Sequence, residues 1–151
     1  MPQNNQKLIL IADDDQDDRM MLGDAFAENE NPPALIFVED GEELMNYLHR
    51  RGRFSESEKY PLPQLILLDL NMPRKDGRET LKEIKSTPGL KRIPVIIFST
   101  SSETQDIIKC YDEGSNCFLT KPLTFNALVE LTRSFSKYWI ETAELPPTNP
   151  E

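Results

Sequence analysis

Short apolar runs alternate along this chain with longer stretches in which apolar residues recur every three or four positions. The runs at 7–12 (KLILIA), 34–40 (ALIFVED), 65–70 (LILLDL), 95–99 (VIIFS) and 117–120 (CFLT) have the length and composition of β-strands. Those at 7–12, 65–70 and 95–99 are apolar throughout rather than alternating, which is the pattern of strands covered on both faces. Between them lie helical patterns. Met21, Leu22, Ala25 and Phe26 share one face of a segment from Gln16, and Leu44, Tyr47 and Leu48 one face of 41–51. Leu81 and Ile84 mark 78–86, and Ile107, Ile108 and Tyr111 mark 102–114, which Gly114 ends. Leu128, Leu131, Phe135 and Tyr138 or Trp139 mark the last, 124–139. Strand–helix alternation of this kind predicts an α/β fold with a parallel sheet between two helical layers. The segment 52–64 is a polar loop with two prolines, longer than most connections of its type. The expected organisation is a tail at 1–6, one domain over 7–140, and a proline-rich tail at 141–151 that cannot continue a helix.

Composition narrows the function classes. A net charge of -9 disfavours nucleic acid and anionic lipid as partners. The apolar runs are too short to span a membrane, and the N-terminus lacks the basic and apolar regions of a secretory leader, so the cytoplasm is the expected compartment. The two cysteines, Cys110 and Cys117, are expected to be thiols that pack as small hydrophobes. The one histidine, His49, leaves Ser-His-Asp triads and histidine-rich zinc sites poorly supported. It sits in YLHRRG, which reads as a helix C-terminus with cations at the negative dipole end and Gly52 as the left-handed cap.

The candidate chemistry lies at the strand ends. The first strand runs into Asp13 and Asp14, with Asp15, Asp17 and Asp18 close behind, and the third ends at Asp69. In an open parallel sheet, ligands bind beyond the carboxyl ends of the strands. If the first and third strands are neighbours, Asp13, Asp14 and Asp69 converge. Oxygen-only ligands suit a hard cation, Mg2+ above all where phosphate is involved. The fourth strand ends at Ser99, followed by Thr100, and the fifth at Lys121, which a cis peptide to Pro122 would aim. Acids, a hydroxyl and an amine at one rim fit phosphoryl transfer onto a carboxylate. Asp15, Asp17 and Asp18 read as partners of a helix N-terminus.

Three other readings compete. Asp13, Asp15 and Asp17 match the start of a calcium loop, but its glycine position is Asp18 and its closing glutamate position is Asp24. A phosphatase with an aspartate nucleophile needs a second acid two residues on, where this chain has Asn71. The third is an interaction scaffold that is never phosphorylated, against which the intact acids, serine and lysine argue.

With ADD after the first strand, LLDLNMPRKDG around the third, PVIIFST at the fourth and FLTKP at the fifth, the chain resembles the CheY-like receiver domains of two-component response regulators. The likeness runs from about Lys7 to Tyr138. It implies a flavodoxin-like doubly wound sheet of five parallel strands in the order 2-1-3-4-5. It also implies a switch rather than an enzyme acting on outside substrates, catalysing only its own phosphorylation and dephosphorylation. By the same likeness Asp69 accepts the phosphoryl group from a histidine kinase. Mg2+ is held by the side chains of Asp14 and Asp69 and the main-chain carbonyl of Asn71, with Asp13 acting through a metal-bound water. Lys121 contacts the phosphoryl group, Ser99 is the switch hydroxyl, and Phe118 is the aromatic that follows it inward. Asn71 and Ser101 occupy positions that tune the lifetime of the acyl phosphate.

The segment from Val38 to Glu79, with its long loop, and the ending SFSKYWIETAELPP further resemble stand-alone regulators that partner cyanobacterial phytochromes. A phytochrome-type kinase and a homodimer through the fourth-helix, fifth-strand and fifth-helix face are therefore expected, with a kinase unrelated to phytochrome as the alternative. Phe125, Tyr138 or Trp139 would serve that face if exposed; otherwise they pack the last helix on the sheet. With no output domain expected, the signal would leave through this surface.

Overall fold

A computed structural model describes residues 6–56 and 58–148. Five parallel strands form one sheet: β1 (Leu8–Ala12), β2 (Ala34–Val38), β3 (Leu65–Leu68), β4 (Val95–Ser99) and β5 (Cys117–Thr120), in the spatial order β2-β1-β3-β4-β5. The helices are α1 (Gln16–Ala27), α2 (Gly41–Leu48), α3 (Gly77–Ser86), α4 (Thr104–Asp112) and α5 (Phe125–Phe135), which runs on into a π-helical stretch to Thr142. This is the expected doubly wound architecture and strand order.

The sheet separates two apolar layers, and successive residues of each central strand enter opposite ones. Leu10, Ala12, Ile66, Leu68, Val95 and Ile97 face the core shared with α2 and α3. Ile9, Ile11, Leu65, Leu67, Ile96 and Phe98 face the core shared with α1 and α5. Both faces are covered, so β1 and β3 have no polar position to alternate with, and β4 has only its terminal, buried Ser99. Among the described residues no helix is long and apolar enough to cross a membrane.

Several local expectations change. Leu22, Ala25 and Phe26 are buried on α1, but Met21 is not. On α4 the buried anchor is Cys110, whereas Ile108 and Tyr111 are about half exposed (53% and 49%). This helix packs near a sheet edge, and its apolar stripe is wider than the surface available to cover it. Trp139 packs against the α1/α5 core, while Tyr138 and part of Phe125 face solvent.

The C-terminus of α2 is closed by Arg50 rather than Gly52. Arg50 takes the left-handed conformation (φ 56°), and the amides of Arg50 and Arg51 donate to the carbonyls of Tyr47 and Asn46. Gly52 is also left-handed (φ 58°), but it opens a 3-10 turn at Gly52–Phe54. Among the described residues no peptide bond is cis, so the Lys121–Pro122 bond is trans, contrary to expectation. The long loop is pinned by the Tyr47 hydroxyl, which donates to the Pro61 carbonyl at 2.7 Å, and by mutual packing of the Tyr47, Phe54 and Tyr60 rings. Of the expected tails, 1–5 and 149–151 lie outside the described residues. Leu145 packs on the α1/α5 core, and Pro146–Thr148 line a cavity of about 240 Å³ with His49 and Leu62, at the end of the sheet away from the acids.

Gly77 begins α3 directly against the end of β3. A Cβ there would lie 2.1 Å from the Asp69 carbonyl oxygen and 2.7 Å from Leu70 Cα. Backbone cannot yield as a flexible side chain does. Gly77→Ala is expected to lower stability by about 2 kcal/mol, within the range for overpacked sites, measured by urea unfolding.

Candidate functional site at the carboxyl ends of the strands

The ladder hydrogen bonds continue past the strands and set the site. The Asp13 amide donates to the Val38 carbonyl at 3.0 Å, and the Asp69 amide to the Ala12 carbonyl at 3.1 Å. Asp13 and Asp69 are thereby held side by side because β1 and β3 are neighbours, with Ala12 opposite Leu68. On the other flank the Lys121 amide donates to the Ser99 carbonyl at 2.8 Å.

Asp13, Asp14 and Asp69 each offer one carboxylate oxygen, and these lie within 4.8 Å of one another. Asp13 and Asp69 are buried and Asp14 is exposed. Asp13 is further fixed by the Asp15 amide, which donates to its Oδ1 at 2.9 Å, and by Arg19, whose guanidinium donates to its carbonyl at 2.7 Å. Asn71 follows on the loop after β3, its amide 3.4 Å from Asp69 Oδ1. The donor set is all oxygen and doubly or triply anionic, which fits a hard divalent cation.

Lys121 lies across the acids. Its Nζ donates to Asp13 Oδ2 at 2.8 Å, Asp69 Oδ2 at 3.1 Å and Asp18 Oδ2 at 3.2 Å. Burial acts to lower the Lys121 pKa, but its hydrogen bond to Asp13 and the charges of Asp69 and Asp13 outweigh it and hold the ammonium above the usual lysine range. Burial pushes the Asp69 carboxyl up, and the nearby Asp13 adds to this; Lys121 and the Asn71 amide offset only part of it.

The sequence reading missed one member of this group. Asp18 was expected only as a charge at a helix start, but its position in the first turn of α1 turns it toward Lys121. Asp15 does act as expected, accepting from the Asp18 amide as the N-cap. Because α1 starts at Gln16, no calcium-binding loop forms here.

Ser99 is fully buried, and its hydroxyl accepts from the Ser101 amide at 3.2 Å. The Ser101 hydroxyl in turn donates to Asp106 at 2.6 Å, and Arg78 of α3 donates to the same carboxylate at 3.0 Å. Phe118 lies opposite Ile97 in the β4–β5 register and packs, half-buried, on the α2/α3 core. The loop after β4 is thus joined to α3 and α4, while Thr100 is exposed.

The family model of the response regulator receiver domain matches residues 9–133. This chain belongs to the response regulator receiver family. The receiver domain is 39% identical over 143 residues to the response regulator Rcp1 of Synechocystis sp., covering 95% of each chain. A crystal structure of the phosphorylated cyanobacterial phytochrome response regulator RcpA superposes with a TM-score of 0.86 at 41% identity, covering 94% of this chain and 99% of that one. The Mn2+-bound form of Rcp1 superposes with a TM-score of 0.83 at 39% identity, covering 93% and 99%. The receiver domain described here is accordingly a response regulator similar to the phytochrome response regulators.

The raised Asp69 pKa has a consequence for stability. Its ionisation is less favourable in the folded metal-free protein than in the unfolded chain, whose ordinary value is 3.8. Below that value Asp69 is protonated in both states and contributes nothing to the difference. As pH rises through the raised folded value, stability is lost. Metal-free Asp69→Asn is therefore expected to melt higher than wild type at neutral pH, with the gap closing as pH falls toward the ordinary aspartate range, in thermal melts run with chelator.

Proposed function

We propose that this receiver accepts a phosphoryl group from a histidine kinase on Asp69 and switches its interaction surface in response. The observation that carries the reading is the meeting of Asp69 with Asp13, Asp14 and Lys121 at one rim. Asp13, Asp14, Asp69 and the Asn71 carbonyl would hold Mg2+, which when bound supplies positive charge against the phosphoryl oxygens. An Asp69 carboxylate oxygen forms a bond to phosphorus as the bond between phosphorus and the imidazole nitrogen of the donor breaks. The imidazole keeps the electron pair and takes a proton. Lys121, freed from sharing its charge among three carboxylates, turns to the new anion.

The product carries roughly -1.5 to -2 charge by analogy with other phosphoryl groups. Ser99 then donates to a phosphoryl oxygen, and in turning toward it draws away from the Ser101 amide, which loosens the tie from Ser101 through Asp106 to Arg78. Phe118 moves inward in the space this opens, and the α4–β5–α5 face changes. Ile108 and Tyr111 of α4 with Phe125 and Tyr138 supply an exposed apolar surface there, fit for a homodimer. The likeness to Rcp1 and RcpA favours a phytochrome-type kinase. Exposed Met20 and Met21 on α1 and Leu123 after β5 offer it an apolar foothold, and Met21 and Pro122 border the opening to Lys121. The receiver unit is proposed to span 7–140.

Acetyl phosphate with Mg2+ should place an acid-labile label on wild type, none above background on Asp69→Asn, and none on wild type with excess chelator. Retained label in either case refutes the assignment. Lys121→Ala should still accept some label, yet show no change in self-association on phosphorylation by analytical ultracentrifugation. A phosphotransfer assay against candidate kinases tests the partner.

A further inference from the structure

Beyond the acids of the rim, the loop that follows Asp69 is held by a pair in which Asp40 is buried and Arg74 is largely exposed. Asp40, at the start of α2, is fully buried. Its Oδ1 caps α2 by accepting from the Glu43 amide at 2.8 Å. Its Oδ2 accepts from Arg74, through Nε at 2.7 Å and through a terminal nitrogen as well. A buried carboxylate needs such partners, and because Arg74 is itself 63% exposed its loss opens Oδ2 to water rather than stranding the charge. Arg74 supplies them from an unfavourable backbone. Its φ is 61°, and the Lys75 amide donates to the Pro73 carbonyl at 2.7 Å, which makes Arg74 the middle of a γ-turn with a left-handed centre. An L-residue other than glycine rarely adopts this. Strain of this kind persists only where surrounding contacts over-determine it.

Those contacts join α2 to the acceptor loop. The Gly41 amide donates to the Lys75 carbonyl at 3.0 Å. A Cβ on Gly41 would lie 2.6 Å from that oxygen and 2.0 Å from Thr80 Oγ1, so the two backbones meet without room for a side chain. Arg74 is three residues beyond Asn71, whose carbonyl the proposed function assigns to the metal ion, with buried Met72 between them. We infer that Asp40 and Arg74 are positioning residues: the pair clamps the loop after β3 onto the capped start of α2 and so fixes where the Asn71 carbonyl and the Asp69 carboxylate stand relative to the ion. The inference rests on the metal reading above.

Mn2+ titration of the unphosphorylated protein, read as free Mn2+ by electron paramagnetic resonance, tests it alongside metal-free urea unfolding. Arg74→Gly removes the guanidinium and also the backbone strain, so it should unfold at a urea concentration no lower than wild type while binding Mn2+ on the order of tenfold more weakly, the usual effect of losing a ligand-orienting partner. Asp40→Asn keeps a cap acceptor and should weaken Mn2+ binding similarly. The double variant should be no weaker than the weaker single one, because both remove the same contact. Arg74→Lys should recover part of the affinity. Arg74→Gly binding within twofold of wild type overturns the clamp alone. Loss of stability in proportion to affinity in Arg74→Gly also overturns it, as the mark of a merely structural pair. A wild type that takes up no Mn2+, or an Asp69→Asn variant that binds as well as wild type, overturns the metal reading and the clamp with it.

Discussion

The charge on Lys121 is what allows acids to crowd the carboxyl end of this sheet. At an effective dielectric of about 20, two like charges about 4 Å apart repel by roughly 4 kcal/mol. Asp13, Asp18 and Asp69 each find the same ammonium within hydrogen-bonding distance. Even so the compensation is incomplete, since burial leaves the Asp69 carboxyl harder to ionise than a free one. The cluster therefore retains an affinity for further positive charge.

The register of the parallel sheet puts this arrangement in place. Strands that run the same way end at the same rim, so residues distant in sequence meet without any loop having to reach. β1 and β3 bring the acids together, and the β4–β5 ladder sets Ser99 beside Lys121. The apolar character of those strands makes this rim rigid: residues of alternating direction enter two separate cores, and a slip of one position would exchange both at once.

Around that rigid frame the connections divide into held and free. The loop after β3 is tied to α2 through Asp40, Arg74 and the Gly41 amide. The loop after β4 is held by a chain of contacts through side chains, from Ser99 through Ser101 and Asp106 to Arg78. A charge appearing at Asp69 would meet a fixed loop on one side and a yielding one on the other. On the proposed function, that difference would give a change at Asp69 a direction, toward α4 and the exposed apolar residues of the α4–α5 face.

The strands, their order of appearance, the two-sided burial and the acids at the strand ends were legible in the chain itself, because periodicity and strand-terminal position are local properties. Likeness to the family supplied the strand order, which periodicity alone does not contain, and the roles proposed for the rim residues. What stayed hidden depended on neighbours far away along the chain. Asp18 looks like any acid in a first helical turn until β5 brings Lys121 over it, and Ile108 and Tyr111 look like core until α4 lies where little covers them. Arg50 takes a cap expected of Gly52, closed by the backbone bonds of Arg50 and Arg51, and Arg74 takes a turn that glycine favours and bonds Asp40. Local order in this chain follows from which residues adjoin along the backbone; which charges meet and which faces stay uncovered is decided by packing, since those energies exist only between segments that folding brings together.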